Sequence, residues 1–126
     1  LAMKTSIIAK LDGVMLNLVQ QGMGLAELID FEGFEVAHRI GAGPLPTAVV
    51  LSPSLKNIRT VSKKLFDLEA LETVIRLEEG YTLVCRYIPL RDTVLTLVVL
   101  ADPHMRYRST INRAAREIKT LLDESK

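Results

Sequence analysis

The side chains able to do chemistry in this 126-residue chain are few: two histidines, one cysteine, six serines and fifteen carboxylates. A zinc site draws its ligands from short repeats such as Cys-x-x-Cys or His-x-x-x-His, which aim two donors at one ion. His38 and His104 stand far apart and neither has such a neighbour, so no metal ligand is expected. An edge or hydrogen-bonded role accounts for His38 on its predicted strand, and His104 follows Pro103 in a predicted loop. The run "GAGPLPT" is glycine-rich like a phosphate loop, yet it lacks the closing Lys and Ser/Thr that engage phosphate and magnesium. It reads as a turn. Ser6, Ser52, Ser54, Ser62, Ser109 and Ser125 have no Gly-x-Ser-x-Gly context to expose a nucleophile. Cys85 lies in an apolar row and reads as a small buried hydrophobe ahead of a reactive thiol. Asp30 and Glu32 sit in a turn, where bonding to backbone explains them without acid–base catalysis. These residues predict no catalytic centre, no cofactor and no enzyme.

Composition narrows the class further. Hydrophobic residues make up 48% and charged residues 25% of the chain, as in a globular protein of one domain over residues 1–126. Leu1-Ala2 ahead of Met3 is compatible with a cloning remnant. No apolar run approaches the roughly 20 residues that cross a bilayer, so membrane insertion is not expected. A lone cysteine excludes an internal disulfide and suits a reducing cytoplasm. The net charge of +1 argues against a dedicated nucleic-acid binder. Charge is nevertheless segregated: residues 55–66 carry four basic groups and no acid, and residues 67–79 carry five acids against Arg76. Such blocks are either solvated faces or the guide for a charged protein partner.

Periodicity supplies the elements. Ile7, Ile8, Leu11, Val14, Met15, Leu18 and Val19 recur at steps of three and four, the stripe of an amphipathic helix. Gly22 and Gly24 are expected to close it. In "AELIDFEGFEVAHRI", Leu25, Glu27 and Ile29 alternate with their neighbours, as do Phe34, Val36, His38 and Ile40 beyond the turn. Asp30 and Gly33 are placed as in a type I turn with a G1 bulge, which predicts a hairpin. After an irregular stretch containing Pro44 and Pro46, Ser52-Pro53 opens a helix with Leu55, Ile58, Val61 and Leu65 on its stripe. Residues 47–51 are compatible with an earlier, proline-kinked turn of that helix. Three strands follow, over Leu71–Leu77, Tyr81–Ile88 and Val94–Leu100. The last is apolar on both faces and so belongs in the middle of a covered sheet. A helix carrying Ile111, Ala114, Ala115, Ile118, Leu121 and Leu122 ends the chain.

The predicted order is α-β-β-α-β-β-β-α. Sequential strands pair as hairpins, so a central fifth strand requires an antiparallel sheet ordered 2-1-5-4-3. Two long helices cover one face of this α+β, three-layer α/β/α sandwich, and a single shorter one is left for the other.

This order, with "LIDFEGFEVAHRI" after the first helix and "LEEGYTLVCRYIPLRDTVLTLVVLAD" before the last, resembles the roadblock family of dynein light chains and its prokaryotic relatives. Profilin-like domains share parts of the layout. The resemblance implies a non-enzymatic, dimeric adaptor or regulator that binds a small Ras-like GTPase or scaffolds a signalling or motor complex. It also implies dimerisation through the third strand and the middle helix, here Leu55, Ile58, Leu71, Glu72, Thr73, Val74, Ile75, Arg76 and Leu77. The residues point the same way, because that strand is a sheet edge carrying an apolar row. Lys56, Arg59, Lys63 and Lys64 fall off the helical stripe, where they serve either a GTPase surface or simple solubility. Two other readings are a profilin-like small-molecule sensor, its pocket lined by Phe34, Tyr81 and Tyr87, and a purely structural scaffold subunit.

Overall fold

The computed structural model of the protein describes residues 3–41 and 52–124. The chain runs α1 (Thr5–Gln20), β1 (Met23–Ile29), β2 (Glu35–Ile40), α2 (Ser52–Phe66), β3 (Glu72–Arg76), β4 (Thr82–Pro89), β5 (Val94–Ala101) and α3 (Arg108–Glu124). The five strands form one antiparallel sheet in the order β2-β1-β5-β4-β3, as the two-faced apolar strand requires. The expected kinked turn over residues 47–51 and most of the "GAGPLPT" run lie outside the described residues.

Helices α1 and α3 pack side by side on one face of the sheet. Leu11, Val14, Met15 and Leu18 of α1 and Ile111, Ala114, Ile118 and Leu122 of α3 are buried against Ala26, Leu28, Val84, Leu97 and Val99. The opposite face is smaller. There Leu55 of α2 joins Leu25, Ile29, Leu83, Cys85, Tyr87, Val98 and Leu100. β5 is buried on both faces along nearly its whole length, and so is β1, including Glu27.

Two local expectations differ from the structure. Gly24 does not close α1; it lies inside β1, where its carbonyl accepts from the Gly41 amide at 2.8 Å. Sheet pairing outweighs a glycine's preference for helix ends there, and Gly22 alone takes the positive φ after the helix. Of the β2 row expected to be apolar, Phe34, Val36, His38 and Ile40, only Val36 packs, half-buried, on the cluster beneath α1 and α3; the other three are exposed, and Ala37 is buried. The α2-side cluster stops at β1 among the described residues, leaving His38 and Ile40, opposite Glu27 and Leu25, uncovered.

The β1–β2 hairpin is built as its turn chemistry predicts. One Asp30 carboxylate oxygen accepts from the backbone amides of Glu32 and Phe34, each at 2.9 Å. The pairing shifts between Leu28 and Ile29, and Gly33 has φ +96°. A Cβ on Gly33 would lie 2.8 Å from the Ser52 hydroxyl oxygen, so the hairpin tip rests on the start of α2. Gly33→Ala is therefore expected to cost about 1–3 kcal/mol of stability, read as a lower midpoint in urea unfolding with an unchanged slope.

Candidate protein-interaction surface

Among the described residues β3 forms one rim of the sheet and pairs only with β4. The Leu77 amide donates to the Tyr81 carbonyl, and the Leu71 carbonyl accepts from the Tyr87 amide. Odd-numbered residues therefore turn their backbone groups toward β4. By the alternation of an antiparallel strand, Glu72, Val74 and Arg76 turn theirs to the open edge. Leu71, Val74, Ile75 and Leu77 are all exposed, Leu71 to 73%.

Helix α2 adds to this edge. Of its apolar stripe only Leu55 is buried, while Ile58, Val61 and Leu65 remain exposed, followed by Phe66 and Leu68 in the link to β3. A 15-residue helix with one buried side chain gains little from its own sheet. Exposed apolar side chains thus run from α2 through the link into β3, where an isolated monomer would ordinarily carry scattered ones.

Glu72, expected in the dimer interface, carries its side chain on the α3 face of this edge strand. That side chain is 16% exposed. Arg86 donates to it from Nε at 3.1 Å and Nη2 at 3.0 Å, Arg108 donates from α3, and Arg86 also reaches Asn112 at 2.7 Å. Burial pushes the Glu72 carboxyl up, but hydrogen bonds from Arg108 and Arg86 and their charge hold it below its ordinary value of 4.5. A depressed native pKa contributes stability that is present above pH 4.5 and lost as pH falls through the native value. Glu72→Gln is expected to lower stability at pH 7 and to flatten the loss below pH 4.5 in acid unfolding curves.

The cationic side of α2 meets the hairpin tip. Lys56 Nζ lies 4.6 Å from the centre of the Phe31 ring. The Arg59 guanidinium lies 6.0 Å from Phe31 and 5.1 Å from the Tyr87 ring. Such contacts hold long cations over aromatic faces while leaving their heads accessible. Lys63 is drawn to Asp67 at 3.4 Å and Glu69 at 3.6 Å, which offsets its charge. A shallow groove joins Phe31, Lys56, Arg59, Lys63, Lys64 and Glu69. Phe31 is the member that sequence reasoning missed. Its position between Asp30 and Glu32 in an exposed turn was a signal, but its cationic neighbours lie on another element.

The remaining chemical candidates are placed as follows. His38 is exposed on β2 and pairs with Glu35 at 2.9 Å. Burial, with the charge of Glu72 adding, pushes the Cys85 thiol up to about 12, which leaves it protonated and inert. Tyr87 is buried, its hydroxyl 2.8 Å from that of Thr73. Phe34 is exposed, so it lines no cavity with Tyr81 and Tyr87. The gap beside Ile29, Leu55, Arg59 and Thr96 has room for about one water molecule. Among the described residues, no three His, Cys, Asp or Glu side chains gather as a metal site. No described helix is long and apolar enough to cross a membrane.

The sheet order and the two-plus-one helix arrangement are those of the roadblock fold. No protein-family model matches the sequence, and no curated protein matches it significantly. Solved structures do match. An MglB structure described as having a tetrameric arrangement superposes at TM-score 0.79 and 20% identity, over 100% of this chain and 97% of that one. The gliding protein MglB of Thermus thermophilus gives 0.79 and 20%, over 98% and 96% of the two chains. A Roadblock/LC7 domain from Streptomyces avermitilis gives 0.69 and 18%, over 89% and 97%. At these identities the likeness is one of fold.

Proposed function

We propose that residues 1–126 act as a single roadblock-like, non-enzymatic adaptor that forms a homodimer and docks a small Ras-like GTPase. The observation that carries this reading is the run of exposed apolar side chains along α2, the link and β3, beside backbone groups on the β3 rim that no described strand pairs. A second copy satisfies both needs at once. It supplies backbone partners to the rim and apolar cover to α2, and a two-fold axis lets one surface serve as both halves. Self-association also fits the tetrameric arrangement described for one MglB of the same fold.

Dimerisation occupies one flank of α2 and leaves Lys56 and Arg59, set over Phe31, as the partner-facing group. Sedimentation equilibrium at micromolar concentration tests the dimer; a monomer alone would refute it. The GTPase side is tested by retention of Ras-like GTPases, loaded with GDP or a non-hydrolysable GTP analogue, on the immobilised protein. For a GTPase so retained, Lys56→Glu with Arg59→Glu is expected to slow association about tenfold at low salt, converging with wild type at high salt. Unchanged kinetics at low salt would remove these two residues from the site.

A further inference from the structure

The dimer reading does not by itself say which residues of the two β3 strands face each other, and the strand's own chemistry narrows the choice. Only Glu72, Val74 and Arg76 turn their amides and carbonyls outward, so a hydrogen-bonded pair across the axis must join even to even. For two antiparallel copies this leaves three registers that make two or more such pairs within the strand, with the two-fold axis at Thr73, Val74 or Ile75.

The three differ in ladder length and in charge. An axis at Val74 opposes Glu72 to the partner's Arg76 twice and Val74 to its twin, giving three hydrogen-bonded pairs and using the whole strand. Either neighbouring axis gives only two such pairs within the strand. An axis at Ile75 also sets Glu72 against the partner's Glu78, a like-charge contact at close quarters. An axis at Thr73 sets Glu72 against the partner's Val74 and carries Arg76 past the end of the strand. With the axis at Val74, Leu71 also faces the partner's Leu77, and Thr73 faces its Ile75.

Glu72 has capacity for the added cation. Arg86 makes two bonds to Oε1 and Arg108 makes one to Oε2, so among the described residues Oε2 keeps a second acceptor direction. The cluster that turns Glu72 inward also fixes its height along the rim. We infer that two copies of this chain pair antiparallel through β3 with the two-fold axis at Val74, Glu72 of each facing Arg76 of the other. This rests on the dimer reading above and specifies its geometry.

Disulfide trapping at the non-hydrogen-bonded positions separates the three registers. Thr73 sits opposite Cys85 on β4, so the variants are made in a Cys85→Ala background to prevent a bond within the chain. Thr73→Cys and Ile75→Cys proteins, one of them isotope-labelled, are oxidised separately and as a mixture, and their disulfides are counted by mass. Directly opposed Cα atoms at such positions lie about 4.5 Å apart, within disulfide reach, whereas a two-residue offset puts them at about 7–8 Å, beyond it. The mixed disulfide is expected to exceed either symmetric one by about tenfold or more. Dominant self-linking of Thr73→Cys or of Ile75→Cys moves the axis to that residue and overturns the inference. So does failure to cross-link in samples that sediment as dimers. Samples that sediment only as monomers overturn the dimer reading itself, and the register with it.

Discussion

Replacing Val74 with proline is expected to dissociate the dimer while leaving the monomer folded. The Val74 amide points off the rim of the sheet, so within one chain a proline there removes no ladder hydrogen bond. Edge strands are where proline is tolerated, provided its missing N–H faces outward. In the pair the same position is central. Each copy loses an amide that donates to its twin, and the ring intrudes where the partner carbonyl must approach. Two net hydrogen bonds at about 1 kcal/mol each, with the steric term, come to about 3 kcal/mol. That weakens dimerisation about a hundredfold or more. Each of the three registers with two or more such pairs uses this amide, so the variant tests the rim itself, separately from the cross-links that locate the axis. Circular dichroism unchanged from wild type, with a monomeric sedimentation profile, is the expected result; an undiminished dimer would show that β3 is not the contact.

The second large effect lies in the core and serves as its own control. Leu97 is fully buried in the main cluster, opposite Leu28 on one side and Arg86 on the other. Leu97→Ala leaves a cavity between α1, α3 and the sheet that the surrounding side chains fill only in part. The expected cost is about 3–4 kcal/mol, a large share of the roughly 5–15 kcal/mol that holds a domain folded. The melting temperature should fall by about 10–20 °C. The same deletion at Leu65, which is 70% exposed, should change monomer stability by less than about 0.5 kcal/mol. If α2 flanks the dimer axis, Leu65→Ala instead weakens association by about tenfold, because apolar area buried only in the pair is lost. Two leucine truncations would then separate folding from assembly.

Much of this architecture is legible without a structure. Val94–Ala101 is apolar on both faces, so it must be covered twice, and with hairpin pairing that places every strand. Asp30 and Gly33 announce their turn because one side chain and one backbone angle suffice to make it. The edge position of β3 follows from the same strand order. Gly24 was misleading for a physical reason: helix-end preference is local, while the bond from Gly41 that holds Gly24 in β1 comes from seventeen residues further along. The row of Phe34, Val36, His38 and Ile40 has a clear period of two, but period alone does not reveal which face a neighbouring layer will cover.

What the sequence determined by itself is therefore the set of elements, their order in the sheet and the rim left open, because periodicity and turn chemistry act over a few residues and leave a readable trace. Tertiary structure alone decided that α2 buries only Leu55, that Glu72 bonds Arg86 and Arg108, and that Lys56 and Arg59 lie over Phe31. Each of those depends on side chains from distant segments arriving at one place. The energy of such a contact belongs to the pair and is written in neither segment.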